Sequence, residues 1–386
     1  SLRIRSWILF FRICPDLLNQ KIIDSLWKQF YWLYLNKEDY IGGNHWLENL
    51  ITLLIGSLQF EGKKSEEIFE FSFKQLEKEL NHQLLKDGGH FERSASYHLL
   101  ILDGLIELGL ILENTNGLRP YWLLSSIRRM INWAFSIRLS NGKFPIFNDN
   151  PEIPSDIDSI INYGISYLNK KKITTKGIKN ILTEIYRDSY ENNFQLKDID
   201  KSKYLTNLVD TGWIIARDNK GLELILKIGD SCPKYLPAHT HSDLLSFDLF
   251  KNGLPLIIET GTSLYGNNED RYYERSAAAH NVFQLAPFKG YKKNNINWIE
   301  PIQVWGNFRA ARKAKVLEKS CGYNIKNRTI WIRGSNDAHL SYGAKHIRNI
   351  FLKISRKNKT QLRIIDEVTC NKKMHWRQFW HLGPEQ

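Results

Sequence analysis

A chain of 386 residues can bury more than one hydrophobic core, so neither a metal nor disulfides are needed merely to hold it folded. Its 54 Lys and Arg against 41 Asp and Glu leave a net charge of +13, which favours an acidic partner: a polyanionic glycan, nucleic acid or an anionic membrane surface; a Lys-, Asn- and Ile-rich genome would supply the same excess. Four widely spaced cysteines, Cys14, Cys232, Cys321 and Cys370, exclude a zinc ribbon or a dense disulfide scaffold, and no uninterrupted apolar run reaches the roughly 18 residues of a membrane span.

The chain begins at Ser1 in helix-like sequence and ends at Gln386 just after a strand-like run, so it reads as a fragment. Up to about Leu205, apolar residues recur at helical spacing, as in Leu47, Leu50, Leu53, Leu54 and Leu58 and in Leu99, Leu100, Leu105, Ile106 and Leu108. Breakers at Gly42-Gly43, Gly62-Lys63, Asp87-Gly88-Gly89, Asn114 to Gly117, Asn141-Gly142 and Pro151 to Pro154 separate the helices, and such short connections predict stacked helical hairpins. After Tyr204 the pattern changes to short β-rich runs: Gly212 to Arg217, Leu222 to Ile228, Leu244 to Phe250, Leu254 to Ile258, Val282 to Leu285, Thr329 to Ile332 and Leu362 to Ile365. Closely spaced strands without intervening helices predict an antiparallel sandwich. The fold class expected is therefore α+β, with two domains in series: helices over residues 1–203 and sheet over 204–386, the boundary falling near 195–205.

Three polar constellations stand out along this frame. Asn44-His45-x-x-Glu48-Asn49 follows two glycines and opens an apolar helix, so His45, Glu48 and Asn49 can share one face; Asn44 can equally be a plain N-cap with solvated neighbours. Asp87-Gly-Gly-His90-Phe-Glu92-Arg93-Ser-x-Ser96-Tyr97-His98 is a glycine turn entering a helix dense in titratable groups. On a helix Arg93 and Tyr97 lie four apart, where a guanidinium favours a phenolate; an ordinary tyrosine, with a pKa of about 10, is only about 0.1% ionised at neutral pH. The other reading is an amphipathic helix start with surface charges. His239-Thr-His241-Ser-Asp243 precedes a strand, and in an extended chain its two imidazoles are presented together, which suits zinc with Glu259 and His280 as further ligands, or suits hydrogen-bonded structural histidines.

Taken in order, these stretches resemble the heparinase II/III-like and alginate-lyase families of polysaccharide lyases. The resemblance rests on Asn44-His45 with Asn49, then on Asp87-Gly-Gly-x-x-Glu92-Arg93-Ser-x-x-Tyr97-His98, then on Asn141-Gly142 with Pro145 and Asp149. It continues in His239-x-His241-x-Asp243-x-x-Ser246-Phe247, Gly253-x-Pro255-x-Ile257-x-Glu259-x-Gly261-Thr262 and Arg275-Ser276-x-x-Ala279-His280-Asn281. It implies an incomplete (α/α) toroid followed by an antiparallel β-sandwich, and a lyase that cuts a uronate-containing acidic polysaccharide by β-elimination. It divides the two close histidines: His239 faces substrate, while His241 joins Glu259 and His280 in one structural zinc site, with Glu259 standing where relatives commonly have Asp.

β-Elimination removes the proton on C5, stabilises the enolate on the carboxyl group and protonates the departing oxygen on C4. Tyr97 is the candidate acid or base, Asn44 and His45 the donors to the carboxylate, and His239 a second base or carboxylate contact in a cleft between the domains. Glu48, Arg93 and Tyr273 are supporting candidates. The resemblance also favours a periplasmic or extracellular location; no nucleic-acid partner is expected, for want of a motif, and no membrane insertion, for want of a long apolar run. Three rivals remain in view: a zinc-dependent hydrolase of the metallo-β-lactamase kind, whose ligand run would want another His where Leu244 stands, a glycan-binding protein that keeps the fold without catalysis, and a nucleic-acid binder, for which no recognisable motif supports the basic charge.

Overall fold

Among the described residues, apolar residues at three- and four-residue spacing fold the first part of the chain into seven helices: α1 (Leu2–Ile13), α2 (Gln20–Leu35), α3 (Gly43–Ser57), α4 (Lys63–Gln83), α5 (Ala95–Asn116), α6 (Tyr121–Ile137) and α7 (Ile157–Leu168). The computed structural model describes residues 1–151, 156–169, 204–288, 296–355 and 359–384. Local chemistry sets several starts. Asn19 accepts from the Ile22 N–H at 3.2 Å to cap α2, and Asp156 accepts from the Ser159 N–H at 2.8 Å to cap α7. Helix α3 is buried on nearly every side and packs against α1, α2 and α4, which is why its sequence is apolar all round. Among the described residues α5 is the one helix long and apolar enough to cross a membrane, but most of it is buried inside the fold, as in the core helix of a globular unit.

The second part carries strands β1 (Leu205–Leu208), β2 (Trp213–Arg217), β3 (Leu222–Lys227), β4 (Phe247–Lys251), β5 (Leu254–Ile257), β6 (Phe283–Pro287), β7 (Ile302–Trp305), β8 (Arg309–Lys313), β9 (Val316–Asn324), β10 (Thr329–Asn336), β11 (Ala344–Lys353), β12 (Gln361–Cys370) and β13 (Met374–Gln378), with one short helix, α8 (Glu269–Arg275). Strands β1 to β5 form a meander in chain order, β12-β11-β10-β9 a second sheet, and β13-β6 and β7-β8 two ribbons, every pairing antiparallel. One apolar core joins the two larger sheets: Ile214, Leu224, Leu226, Phe247 and Leu249 meet Ile330, Ile332, Ile350 and Leu352. The expected helices-then-sandwich architecture is therefore observed. The strand expected from Leu244 begins only at Phe247, because Leu245 takes φ +67° and Ser246 closes a turn onto the Asp243 carbonyl at 3.0 Å.

Contact within the chain separates two compact units whose borders interleave. Residues 92–96 and 136–151 pack with the sheets, while Ser1–Phe91, Tyr97–Phe135 and residues 156–169 form the helical unit. The series boundary expected near 195–205 falls largely on residues 170–203, outside the described residues, as does most of the expected Pro151-to-Pro154 break.

Candidate active site and metal-ligand cluster

In the helical unit, Gly42 and Gly43 both take positive φ, +71° and +58°, and turn the chain sharply into α3. Gly42 is the N-cap, so Asn44 is not; it sits buried inside the first turn. His45 is exposed, and its Nδ1 lies 3.2 Å from Glu38 Oε2. Asn49 donates to the same Glu38 oxygen at 3.2 Å and to the His45 carbonyl at 2.6 Å. Glu48 leaves this group: buried, it accepts from Arg5 Nη1 at 2.7 Å, and Arg5 also pairs with Glu107. Burial and Glu107 push the Glu48 carboxyl up against the pull of Arg5. The expected shared face of His45, Glu48 and Asn49 is thus a His45–Glu38–Asn49 cluster, with Glu48 bracing α3 against α1 and α5.

Tyr97 is half-buried in the first turn of α5. Arg93 is not on that helix: it precedes it with φ +53° and donates to the Asp210 carbonyl at 3.3 Å within the sheet unit. The helical four-residue spacing expected for Arg93 and Tyr97 therefore does not apply. His98, next along α5, is fully buried; its Nε2 donates to the Met130 carbonyl at 3.0 Å and its Nδ1 accepts the His90 N–H at 3.2 Å.

The sheet unit holds the densest polar cluster, and its centre is Asp149. One carboxylate oxygen, Oδ2, accepts from His239 Nδ1 at 2.9 Å and Arg271 Nη2 at 2.8 Å; the other, Oδ1, accepts from His241 Nε2 at 2.8 Å, Arg271 Nη1 at 2.5 Å and Thr262 Oγ1 at 3.1 Å. Burial alone would raise this carboxyl; hydrogen bonds from both histidines and from Arg271 outweigh it and hold it well below the usual carboxylate range. The segment is locked by backbone too, the Asp149 N–H donating to the His239 carbonyl at 3.1 Å. Glu92 Oε2 lies 3.9 Å from His239 Nε2, and Phe308 meets the His239 ring edge-on at 6.1 Å. Helix α8 supplies Arg271 and Arg275, both buried; Arg275 donates to the Thr240 carbonyl at 3.0 Å and to Asn307 at 2.7 Å, fastening the loop that bears Phe308. Tyr273 on the same helix is exposed.

Behind His241, whose ring centre is 5.3 Å from that of His280, lie the oxygen donors. Asp243, Glu259 and His280 each offer a ligand atom, all within 4.8 Å of one another. Asp243 is already engaged by the fully buried Lys227, which also donates to Asn148. Glu259 bonds His280 Nδ1 and Ser246 Oγ. Two buried ring nitrogens, His241 Nδ1 and His280 Nε2, have no hydrogen-bond partner, which a buried polar atom rarely tolerates. The donors close enough to share one ion are Asp243, Glu259 and His280, an oxygen-and-imidazole set that fits zinc; the expected ligand His241 is not among them, although its free Nδ1 lies on a ring centred 5.3 Å from that of His280. Burial pushes the His241 imidazole down to about 4, whereas Glu259 outweighs burial at His280 and holds that imidazole above its ordinary value.

Sequence reasoning assigned no role to Arg271 or Lys227 and quoted Asp149 only within a motif. Two of them carry a signal in sequence: Arg271 and Arg275 sit four apart on one helix, and Lys227 follows the aliphatic run Leu224-Ile225-Leu226.

The heparinase II/III N-terminal profile matches residues 11–173 and the heparinase II/III-like C-terminal profile matches residues 200–386. The chain belongs to the heparinase II/III-like family of polysaccharide lyases. A heparin-sulfate lyase of Bacteroides stercoris is 24% identical over 220 residues, which are 54% of this chain and 30% of that protein. A heparinase III structure superposes with a TM-score of 0.64 at 18% identity, covering 95% of this chain and 51% of that one. A heparan sulfate lyase mutant from Pedobacter heparinus gives 0.59 at 19% identity, over 90% and 48%. The chain thus spans about half the length of these structures and less than a third of the curated relative. The antiparallel sandwich and this membership disfavour the metallo-β-lactamase reading of His239-x-His241-x-Asp243.

Proposed function

We propose that the protein is a lyase that cleaves a uronate-containing acidic polysaccharide by β-elimination, leaving an unsaturated uronate at the new end. The observation that carries this reading is the buried Asp149–His239–His241 arrangement set beside the zinc donor set, in a chain of this family. Heparin-sulfate lyase and heparinase III relatives point first to heparan-type chains as substrate.

In the reaction the C5–H bond breaks to leave an enolate on the carboxyl group. Its electron pair then forms the C4=C5 double bond as the C4–O bond breaks, and the departing oxygen takes a proton. Tyr97 is assigned the proton at C5 or O4, since a phenolate can accept one and the resulting phenol can return it. Asn44 and His45 donate to the carboxylate and hold the charge that grows there. His239 acts as a second base or a carboxylate contact. Arg93 and Glu48 support these segments from behind, Arg93 through Asp210 and Glu48 through Arg5, while the exposed Tyr273 is a further phenol. His241, Glu259 and His280 would hold one structural zinc, whose chemistry is to cross-link the segments that bear them.

The test is ultraviolet absorbance of the unsaturated product, with the natural full-length protein and a panel of heparan, hyaluronan, alginate and bacterial capsular glycans. Tyr97→Phe should lower turnover on the accepted substrate by about 100- to 10,000-fold. Unchanged turnover removes Tyr97 from the mechanism, and silence of the wild type on the whole panel overturns the substrate class.

A further inference from the structure

Asp149 joins two histidines that have different work, and it does so through different oxygens. An ionised carboxylate accepts hydrogen bonds and cannot donate them, so each ring nitrogen facing it must carry the proton. We propose that Asp149 is the positioning residue for both functions of this cluster: it fixes His239 as its Nδ1–H tautomer, leaving Nε2 basic, and His241 as its Nε2–H tautomer, leaving Nδ1 for the metal.

Several observations support this. His241 Nδ1, the atom this arrangement leaves bare, is one of the buried nitrogens without a partner. Arg271 grips Asp149 through both terminal nitrogens at 2.5 and 2.8 Å, which restricts rotation of the carboxylate that both histidines face. Arg271 is itself fixed, its Nε donating to Asn307 Oδ1 at 3.1 Å and its face lying 5.0 Å from the Tyr265 ring. The backbone pairing of Asp149 with His239 sets the distance between carboxylate and ring before any side chain is chosen. A carboxylate behind a ligating imidazole is a general device for fixing tautomer and orientation. Here the same carboxylate also serves a histidine two residues away that is assigned no metal, so one residue sets the metal site and the proton-accepting nitrogen together.

The inference rests on the lyase reading for what His239 does and not for how the rings are held. The full chain, zinc-loaded and labelled with nitrogen-15 histidine, is read by long-range nitrogen–proton NMR at mildly alkaline pH, with His239→Gln and His241→Gln supplying assignments. The expected spectrum shows His239 protonated on Nδ1 and His241 on Nε2; the opposite tautomer at either ring overturns the proposal. Asp149→Asn removes one acceptor oxygen. It should convert or mix at least one of the two tautomers and weaken zinc, measured by chelator competition, by about 10- to 100-fold. A folded variant with both tautomers and zinc affinity unchanged overturns the proposal as well, and if the variant does not fold, the wild-type spectrum decides alone. Wild-type tautomers as expected, with no cleavage of any uronate glycan, would defeat the lyase reading and leave this one standing.

Discussion

His98 shows how one buried side chain makes stability depend on pH. Both ring nitrogens are satisfied only when the ring is neutral, one donating to Met130 and the other accepting from His90. A second ring proton would face the His90 N–H. Burial accordingly lowers the His98 pKa from 6.5 to about 3. The unfolded chain takes up this proton first, so the contribution is intact above the ordinary imidazole value and is lost as pH falls from about 6.5 towards 3. The loss should be on the order of 4 kcal/mol at the acid end. Urea midpoints between pH 7 and 4 test this: His98→Gln, which can donate and accept without titrating, should flatten the slope, and an unchanged slope would assign it to other groups. The same residue explains what the sequence could tell. Tyr97-His98 was visible as a polar pair at a helix start, but whether His98 faced substrate or a backbone carbonyl depended on Met130, more than thirty residues away. His239, His241, Glu259 and His280 were legible because polar residues packed densely beside strands are unusual. Asp149 and Arg271 gained meaning only when the fold brought residues 149, 239, 241 and 271 together.

Elements carry the site through a few long polar ties. Arg348, fully buried in β11, pairs with Asp366 of β12 through Nε at 2.8 Å and Nη2 at 3.0 Å, and sends Nη1 to the Leu245 carbonyl at 2.6 Å and the Asn281 carbonyl at 2.7 Å. Leu245 precedes Ser246, a partner of Glu259, and Asn281 follows His280, so one guanidinium ties the four-stranded sheet to both segments that bear candidate ligands. Burial would raise the Asp366 carboxyl, but Arg348 and His346 hold it below the usual range; its contribution is present above the ordinary carboxylate value and disappears as pH falls through the lowered one. Arg348→Met leaves that carboxylate with His346 as its remaining partner and should cost about 3 kcal/mol near neutral pH, read as a shift of the urea midpoint. A loss under about 1 kcal/mol would show that Asp366 finds water instead. Strand β11 itself escaped the sequence reading. Its run Ala-Lys-His-Ile-Arg-Asn-Ile-Phe-Leu-Lys mixes charge with apolar residues, because Arg348 points inward as a tie where a simple alternation rule expects an apolar side chain. The strands from Leu222 and Leu254 were legible because their inward residues are aliphatic.

At the scale of the whole molecule, zinc and net charge make separable claims. If His241, Glu259 and His280 hold the ion, a chelator should lower the melting temperature, since zinc at 100 times its dissociation constant adds about 2.7 kcal/mol to the folded state. An unchanged melting temperature in a sample shown to have lost its metal would remove the structural role. The +13 charge requires a different experiment, because composition bias and substrate attraction both produce it. Raising ionic strength from about 0.1 M to about 1 M shortens the screening length from about 10 Å to about 3 Å, which weakens long-range attraction for a polyanion and leaves buried groups nearly untouched. His239 is buried and Tyr97 half-buried, so proton transfer at them should be far less sensitive to salt than encounter with the polyanion. The expected result is a KM for the glycan that rises several-fold with salt while kcat stays within about twofold, since steering acts on encounter and not on the chemical step. A KM that ignores salt would assign the excess of lysine to composition. A kcat that falls in parallel would mean that solvent-screened charges contribute to holding the uronate in the transition state.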